Sequence, residues 1–154
     1  MYTKEQASKL RIKFWTSFGQ YMKPVTGAEG EPVNWLNYKT GIKHVYFRMD
    51  ADRQQAVISI EIKNPLDAER AYYYDQFISL KLLLEEETGY KWNWEQNTTD
   101  ENGKPVSRIS QTLNNVNLMN EADWPAIIAF LKPRIIALDK FWLLVKDGFD
   151  QPAI

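Results

Sequence analysis

Apolar residues recur along this chain with two periods, and the change of period outlines the fold. Over residues 3–22, Ala7, Leu10, Phe14, Phe18 and Tyr21 fall at spacings of three and four, the mark of an amphipathic helix. Thr3 followed by Gln6 has the form of a capping box at its start. Gly-containing stretches at 24–32 and 39–41 then interrupt any helix, leaving a connection around Trp35 and Tyr38.

Residues 44–50 and 55–63 alternate with period two. Val45, Phe47 and Met49 share one face, and so do Ile58, Ile60 and Ile62. A hairpin closed by residues 51–54 joins them. Pairing Asp50 with Gln55 sets Val45 opposite Ile60, Phe47 opposite Ile58 and Met49 opposite Ala56, so that every apolar side chain lies on one side.

Asn64 and Pro65 predict a second helix start, with Asn at the cap, Pro at the first helical position and Asp67 near the positive dipole end. Its stripe is Leu66, Tyr73, Phe77, Leu80 and Leu84. Gly89 stops it after the acidic run Glu85 to Glu87. Residues 91–96 alternate Trp92 and Trp94 against polar neighbours, and Asn102-Gly103 predicts a hairpin loop leading into a strand at 106–113. Asn120, Asp123 and Pro125 introduce a last helix, which Pro133 should kink or divide before Gly148 ends it.

The order α-β-β-α-β-β-α predicts an α+β fold, a single domain over residues 1–154 whose antiparallel sheet of two hairpins is covered on one face by helices. Composition agrees with one ordered core: 44% of residues are hydrophobic and 25% charged. Cysteine is absent, which removes disulfides, thiolate metal ligands and cysteine nucleophiles. The longest apolar runs, 126–131 and 141–145, fall far short of the roughly 20 residues of a membrane span, and no signal peptide is evident. A cytoplasmic location is the expectation, without membrane association.

The net charge of −1 excludes a domain that is cationic overall, so nucleic-acid binding would need a local basic face. Residues 1–23 supply one, with Lys4, Lys9, Arg11, Lys13 and Lys23 against the single acid Glu5. Aromatic residues are abundant, and Trp35 and Tyr38 sit among polar neighbours where they could stack on bases or anchor a protein. Lys9, Arg11, Lys13, Trp35, Tyr38 and Arg48 are the binding candidates.

One pattern points to catalysis. Glu61 and Lys63 have the Glu-x-Lys spacing of PD-(D/E)XK nucleases, with Asp50 on the preceding strand. Such an enzyme gathers two carboxylates around a divalent metal, with the lysine positioning water. In the register above Asp50 lies at the turn while Glu61 faces His44, about six residues and roughly 20 Å away. That separation argues against a shared metal, and the expectation is no catalytic residue, no metal and no cofactor. His44, the lone histidine, is assigned a structural contact with Glu61 rather than general-base work. Phosphate loops, His clusters and nucleophile elbows are absent.

Residues 13–22, with Phe14, Trp15 and Gly19, together with 34–41, 45–52, 98–104, Asp123-Trp124-Pro125, 132–139 and Phe141-Trp142, carry a family resemblance. Nearly the whole chain resembles the small stand-alone form of an uncharacterised bacterial family of domains of unknown function. Longer relatives carry that domain after a restriction-endonuclease-like nuclease domain. The resemblance implies no catalytic residues and associates the chain with nucleic acid or defence. The expected function is therefore a non-catalytic binding or interaction module, its partner a nucleic acid or a protein, with self-association through a sheet edge or the last helix open. A cryptic or degenerate metal-dependent nuclease, using Glu61, Lys63 and His44, is the alternative.

Overall fold

The computed structural model describes residues 2–149. Helix α1 (Lys4–Met22) begins with the predicted capping box: Thr3 accepts the Gln6 amide at 3.1 Å and the Gln6 side chain accepts the Thr3 amide at 2.9 Å. Its buried stripe ends on Met22 and not on Tyr21, which is about half exposed.

Strands β1 (Val45–Ala51) and β2 (Gln55–Ile62) form the first hairpin, helices α2 (Asp67–Ser79) and α3 (Lys81–Thr88) follow, and β3 (Asn93–Thr99) and β4 (Pro105–Asn114) form the second. Helix α4 (Trp124–Val145) closes the fold. The four strands make one antiparallel sheet in the order β1-β2-β4-β3. Val45 and Phe47 of β1, Ile58, Ile60 and Ile62 of β2, and Ile109 of β4 are buried in a single core with Phe14, Phe18, Phe77, Leu131, Ile135 and Trp142 of the helices. The opposite sheet face carries Arg48, Ser59, Glu61, Arg108, Ser110 and Thr112.

The first hairpin pairs two residues away from the expected register. Val45 lies opposite Ile62, Phe47 opposite Ile60, Met49 opposite Ile58 and Ala51 opposite Ala56. The turn chemistry decides this: the Asp52 carboxylate accepts the amides of Gln54 and Gln55 at 2.8 and 3.0 Å, tightening the loop to Arg53 and Gln54. Glu61 consequently faces Tyr46, while His44, at φ +69°, faces Lys63, and among the described residues no hydrogen bond or ion pair joins it to Glu61.

The second helix begins later and breaks earlier than its pattern suggests. Leu66, 62% exposed, occupies the cap position, and Asn64 is buried before the helix, its carbonyl accepting Arg70 Nη1 at 2.9 Å. The Ser79 hydroxyl donates to the Gln76 carbonyl at 2.6 Å, competing with the helical ladder where the chain divides into α2 and α3 at Leu80. Gly89 ends α3 with φ +74°, as expected of an αL cap.

Strand β3 starts at Asn93, two residues beyond the expected 91, and a register irregularity separates Glu95 from Thr98. Pro133 does not divide α4. Its missing amide costs about 3 kcal/mol in a helix interior, but fully buried Ile127 and Leu131 before it and Ile135 and Leu138 after it hold both halves to the core at about 1.5–3 kcal/mol each. Among the described residues, no helix is long and apolar enough to cross a membrane.

Candidate binding surfaces

The outer sheet face is a shallow groove of about 320 Å³ whose walls include Arg48, Asp50, Glu95, Glu101, Arg108 and Thr112. Strand alternation puts all but Glu101 there, because every second residue of a strand points away from the core, and Glu101 reaches the groove from the β3–β4 loop. Glu61 lies at its centre and is only 8% exposed. The Ser59 hydroxyl donates to Glu61 Oε2 at 3.1 Å, and Arg108 Nε approaches the same oxygen at 3.4 Å. Arg48 Nη1 and Lys63 Nζ stand 3.7 and 3.8 Å from Oε1. Three cations from three positions of the sheet thus converge on one carboxylate.

Lys63 also reaches Asp100 Oδ2 at 3.5 Å, which ties the β3–β4 loop to the end of β2. Amides of Lys104 and Asn102, each 2.9 Å from Asp100 Oδ1, and the Lys63 ammonium hold the Asp100 carboxyl below the usual carboxylate range. Gly103, at φ +76°, supplies the left-handed residue this loop needs.

A second recess, about 240 Å³, lies where the 28–40 connection meets α4, and its lining includes Glu31, Lys39 and Lys146. Its floor is Asp139, 6% exposed. Asp139 Oδ1 accepts the Tyr38 hydroxyl and Oδ2 accepts the Ala28 amide at 2.8 Å. Burial, then the hydrogen bond and charge of Asp139, then Glu31 push the Tyr38 hydroxyl well above its ordinary pKa. Tyr38 is therefore a neutral donor at physiological pH and fastens the connection to the helix.

The sequence-derived candidates do not gather on one surface: Tyr38 and Arg48 line one recess beside β1, whereas Lys9, Arg11 and Lys13 lie on α1. Trp35 is 3% exposed, its indole donating to the Val25 carbonyl at 2.9 Å, so its ring packs in the core. Tyr38 stacks on Phe47 with ring centres 5.1 Å apart. On α1, Lys9 pairs with Glu5 at 3.4 Å and Lys13 with Glu121 at 2.7 Å, the latter ammonium also lying over the Trp124 ring. Arg11 is exposed on the same helix. Arg48 alone of the six candidates lies beside Glu61. Asp50 and Glu61 do share the outer face, but Asp50 pairs with Val57, four residues from Glu61 along β2, roughly 13 Å at strand rise. Among the described residues, no group of three or more His, Asp or Glu side chains is placed to hold a metal ion.

Sequence reasoning missed Ser59, Arg108, Asp100 and Asp139. Asp139 left a signal: it interrupts an apolar stripe between Ile135 and Trp142, where a carboxylate must find donors. Arg108 left a weaker one, as a polar residue alternating with Ser107 and Ile109.

An antiparallel sheet with helices on one face, and a polar groove on the other, defines an α+β domain with an open sheet surface. The chain belongs to the family described as Domain of unknown function (DUF4268), whose model matches residues 10–146. No curated protein and no solved structure matches the chain.

Proposed function

We propose that this domain is a non-catalytic recognition module that binds a protein partner on the open side of its sheet. The observation that carries this reading is the Glu61 cluster: a nearly buried carboxylate, held by Arg48, Arg108 and Lys63, forms the floor of a groove that, among the described residues, no helix lines. A protein supplies the mixture of charge and hydrogen-bonding groups that such a floor can match.

Nucleic acid fits the groove less well. Its lining carries Asp50, Asp52, Glu61, Glu95 and Glu101 against Arg48 and Arg108, a balance that repels phosphates. The nucleic-acid reading rests on the basic face of Lys4, Lys9, Arg11, Lys13 and Lys23 and on Trp35 and Tyr38; Lys9 and Lys13 already hold acidic partners, and Trp35 is buried. The nuclease reading rests on Glu61 and Lys63, whose charges are engaged with one another and with neighbours.

Displayed random-peptide selection, set beside anisotropy titrations with single- and double-stranded DNA and RNA at two salt concentrations, tests the proposal. The expected result is enriched peptides whose binding is lost in Arg108→Glu, with no salt-dependent nucleic-acid binding. Nucleic-acid affinity that falls steeply with salt, and that charge reversal at Lys9, Arg11 and Lys13 abolishes, would overturn it. Magnesium- or manganese-dependent cleavage of any of these nucleic acids would favour the nuclease.

A further inference from the structure

Strand β1 lies at an edge of the sheet, paired with β2 on one side only. The Lys63 amide donates to the His44 carbonyl at 2.8 Å, and the Asp52 amide to the Gln55 carbonyl at 2.9 Å. Antiparallel alternation therefore commits the backbone groups of His44, Tyr46, Arg48, Asp50 and Asp52 to β2, and turns those of Val45, Phe47, Met49 and Ala51 outward.

Both ends of that outward row are closed. The Val45 amide donates to the Ile42 carbonyl, the Val45 carbonyl accepts the Thr40 hydroxyl, and the Ala51 amide donates to the Asp50 carboxylate. Between them, among the described residues, the amides and carbonyls of Phe47 and Met49 have no hydrogen-bond partner. Strand β1 carries neither proline nor bulge, two of the devices that blunt sheet edges.

This open stretch borders a groove of about 420 Å³ lined by Leu36, Asn37 and Tyr38 and by Tyr46, Arg48 and Lys63. Its charged side chains are both cations, each at the long distance of 3.7 or 3.8 Å from the one Glu61 oxygen they share, in contrast to the acidic balance of the neighbouring outer face. Leu36 and Tyr46 present large apolar side chains to it, 42% and 43% exposed.

We propose that the edge at Phe47 and Met49 receives an extended segment of the protein partner, with acidic and apolar residues alternating, as a fifth strand of the sheet. This rests on the reading of the domain as a protein-recognition module. The main chain of the segment completes the ladder, one set of its side chains reaches Leu36, and the alternate acidic set meets Arg48 and Lys63.

The test titrates fluorescein-labelled peptides of alternating Glu and Val, a Lys-for-Glu counterpart, a scrambled control, and an alternating Glu and Val peptide N-methylated at every second residue. Expected are binding of the first peptide, at least tenfold weaker binding of the other three, a similar loss with Arg48→Glu, and new hydrogen-exchange protection at the Phe47 and Met49 amides. Equal binding of the N-methylated peptide, or protection confined to β2 and β4, overturns the edge site while leaving protein recognition on the outer face standing. Failure of every peptide together with salt-dependent oligonucleotide binding overturns both. Protection at Phe47 and Met49 that grows with protein concentration in the absence of peptide would assign the edge to a second copy of this chain instead.

Discussion

Tyr38 donates its hydroxyl to the carboxylate of Asp139, joining the connection before β1 to the middle of α4 across 101 residues of sequence. The other oxygen of the same carboxylate takes the Ala28 amide. One buried side chain thereby fixes two points of a segment that has only a single helical turn of its own.

Asp139→Ala is expected to lower stability by about 3 kcal/mol, because it strands a hydroxyl and an amide that each lose a charged acceptor. Asp139→Asn should cost less, since its carbonyl oxygen can still accept one of the two. Urea unfolding of the three proteins checks the order. A loss below about 1 kcal/mol for Asp139→Ala would show that water replaces both bonds.

Alkaline pH should weaken the fold through Tyr38. Its folded pKa is raised, so the unfolded state releases the phenol proton first, and the stability held below the unfolded value of about 10 is lost as pH rises toward the folded pKa. Denaturant unfolding at pH 8 and pH 11 measures the loss, and Tyr38→Phe should reduce its pH dependence. An unchanged slope in Tyr38→Phe would place the titration elsewhere.

Glu61→Ala should destabilise the domain by about 2 kcal/mol, because Arg48, Arg108 and Lys63 would then face one another with no shared acceptor. Glu61→Gln keeps the packing and isolates the charge. Thermal melts at low and high salt are the measurement: added salt should restore part of the lost stability by screening the three cations. An equal loss at both salt concentrations would assign the effect to packing.

His44→Gly is expected to leave stability unchanged or to raise it by up to about 1 kcal/mol. The left-handed backbone at φ +69° costs a residue bearing Cβ roughly 1–2 kcal/mol, which exceeds the entropy penalty of glycine. Chemical denaturation decides; a loss of more than about 1 kcal/mol would reveal a side-chain contact worth keeping.

Much of this architecture is legible in residue pattern, and the errors have a common physical source. Alternation in β1 and β2 specifies which face is buried, but sliding the strands by two residues preserves that alternation, so the pattern alone could not choose between Val45 facing Ile60 and Val45 facing Ile62. Asp52 chose, through two hydrogen bonds that depend on turn geometry. Thr3 and Gly89 were readable because caps act within a few residues of themselves. The break at Leu80 and the unbroken helix across Pro133 were not, because a side-chain hydrogen bond decides one and distant packing the other.

The candidate site divides in the same way. Glu61 and Lys63 stand out by their spacing, yet their setting depends on Arg108 from another strand and Asp100 from another loop. Trp35 and Tyr38 are notable in sequence for their polar neighbours, and the fold uses both to anchor a connection.

The order β1-β2-β4-β3 carries a consequence for the route by which the chain reaches this state. Each hairpin closes a short loop, but the central β2–β4 ladder joins residues more than forty positions apart, with α2 and α3 between them. Closing so long a loop precedes the reward of pairing, so the expected slow step in folding is the joining of β2 to β4. Substitutions at Ile60 and Ile109, which face one another across that seam, should slow folding, whereas Met49 at the edge should chiefly hasten unfolding. Stopped-flow refolding of these variants would locate the barrier at the seam, or move it into a hairpin if Met49 proved the slower.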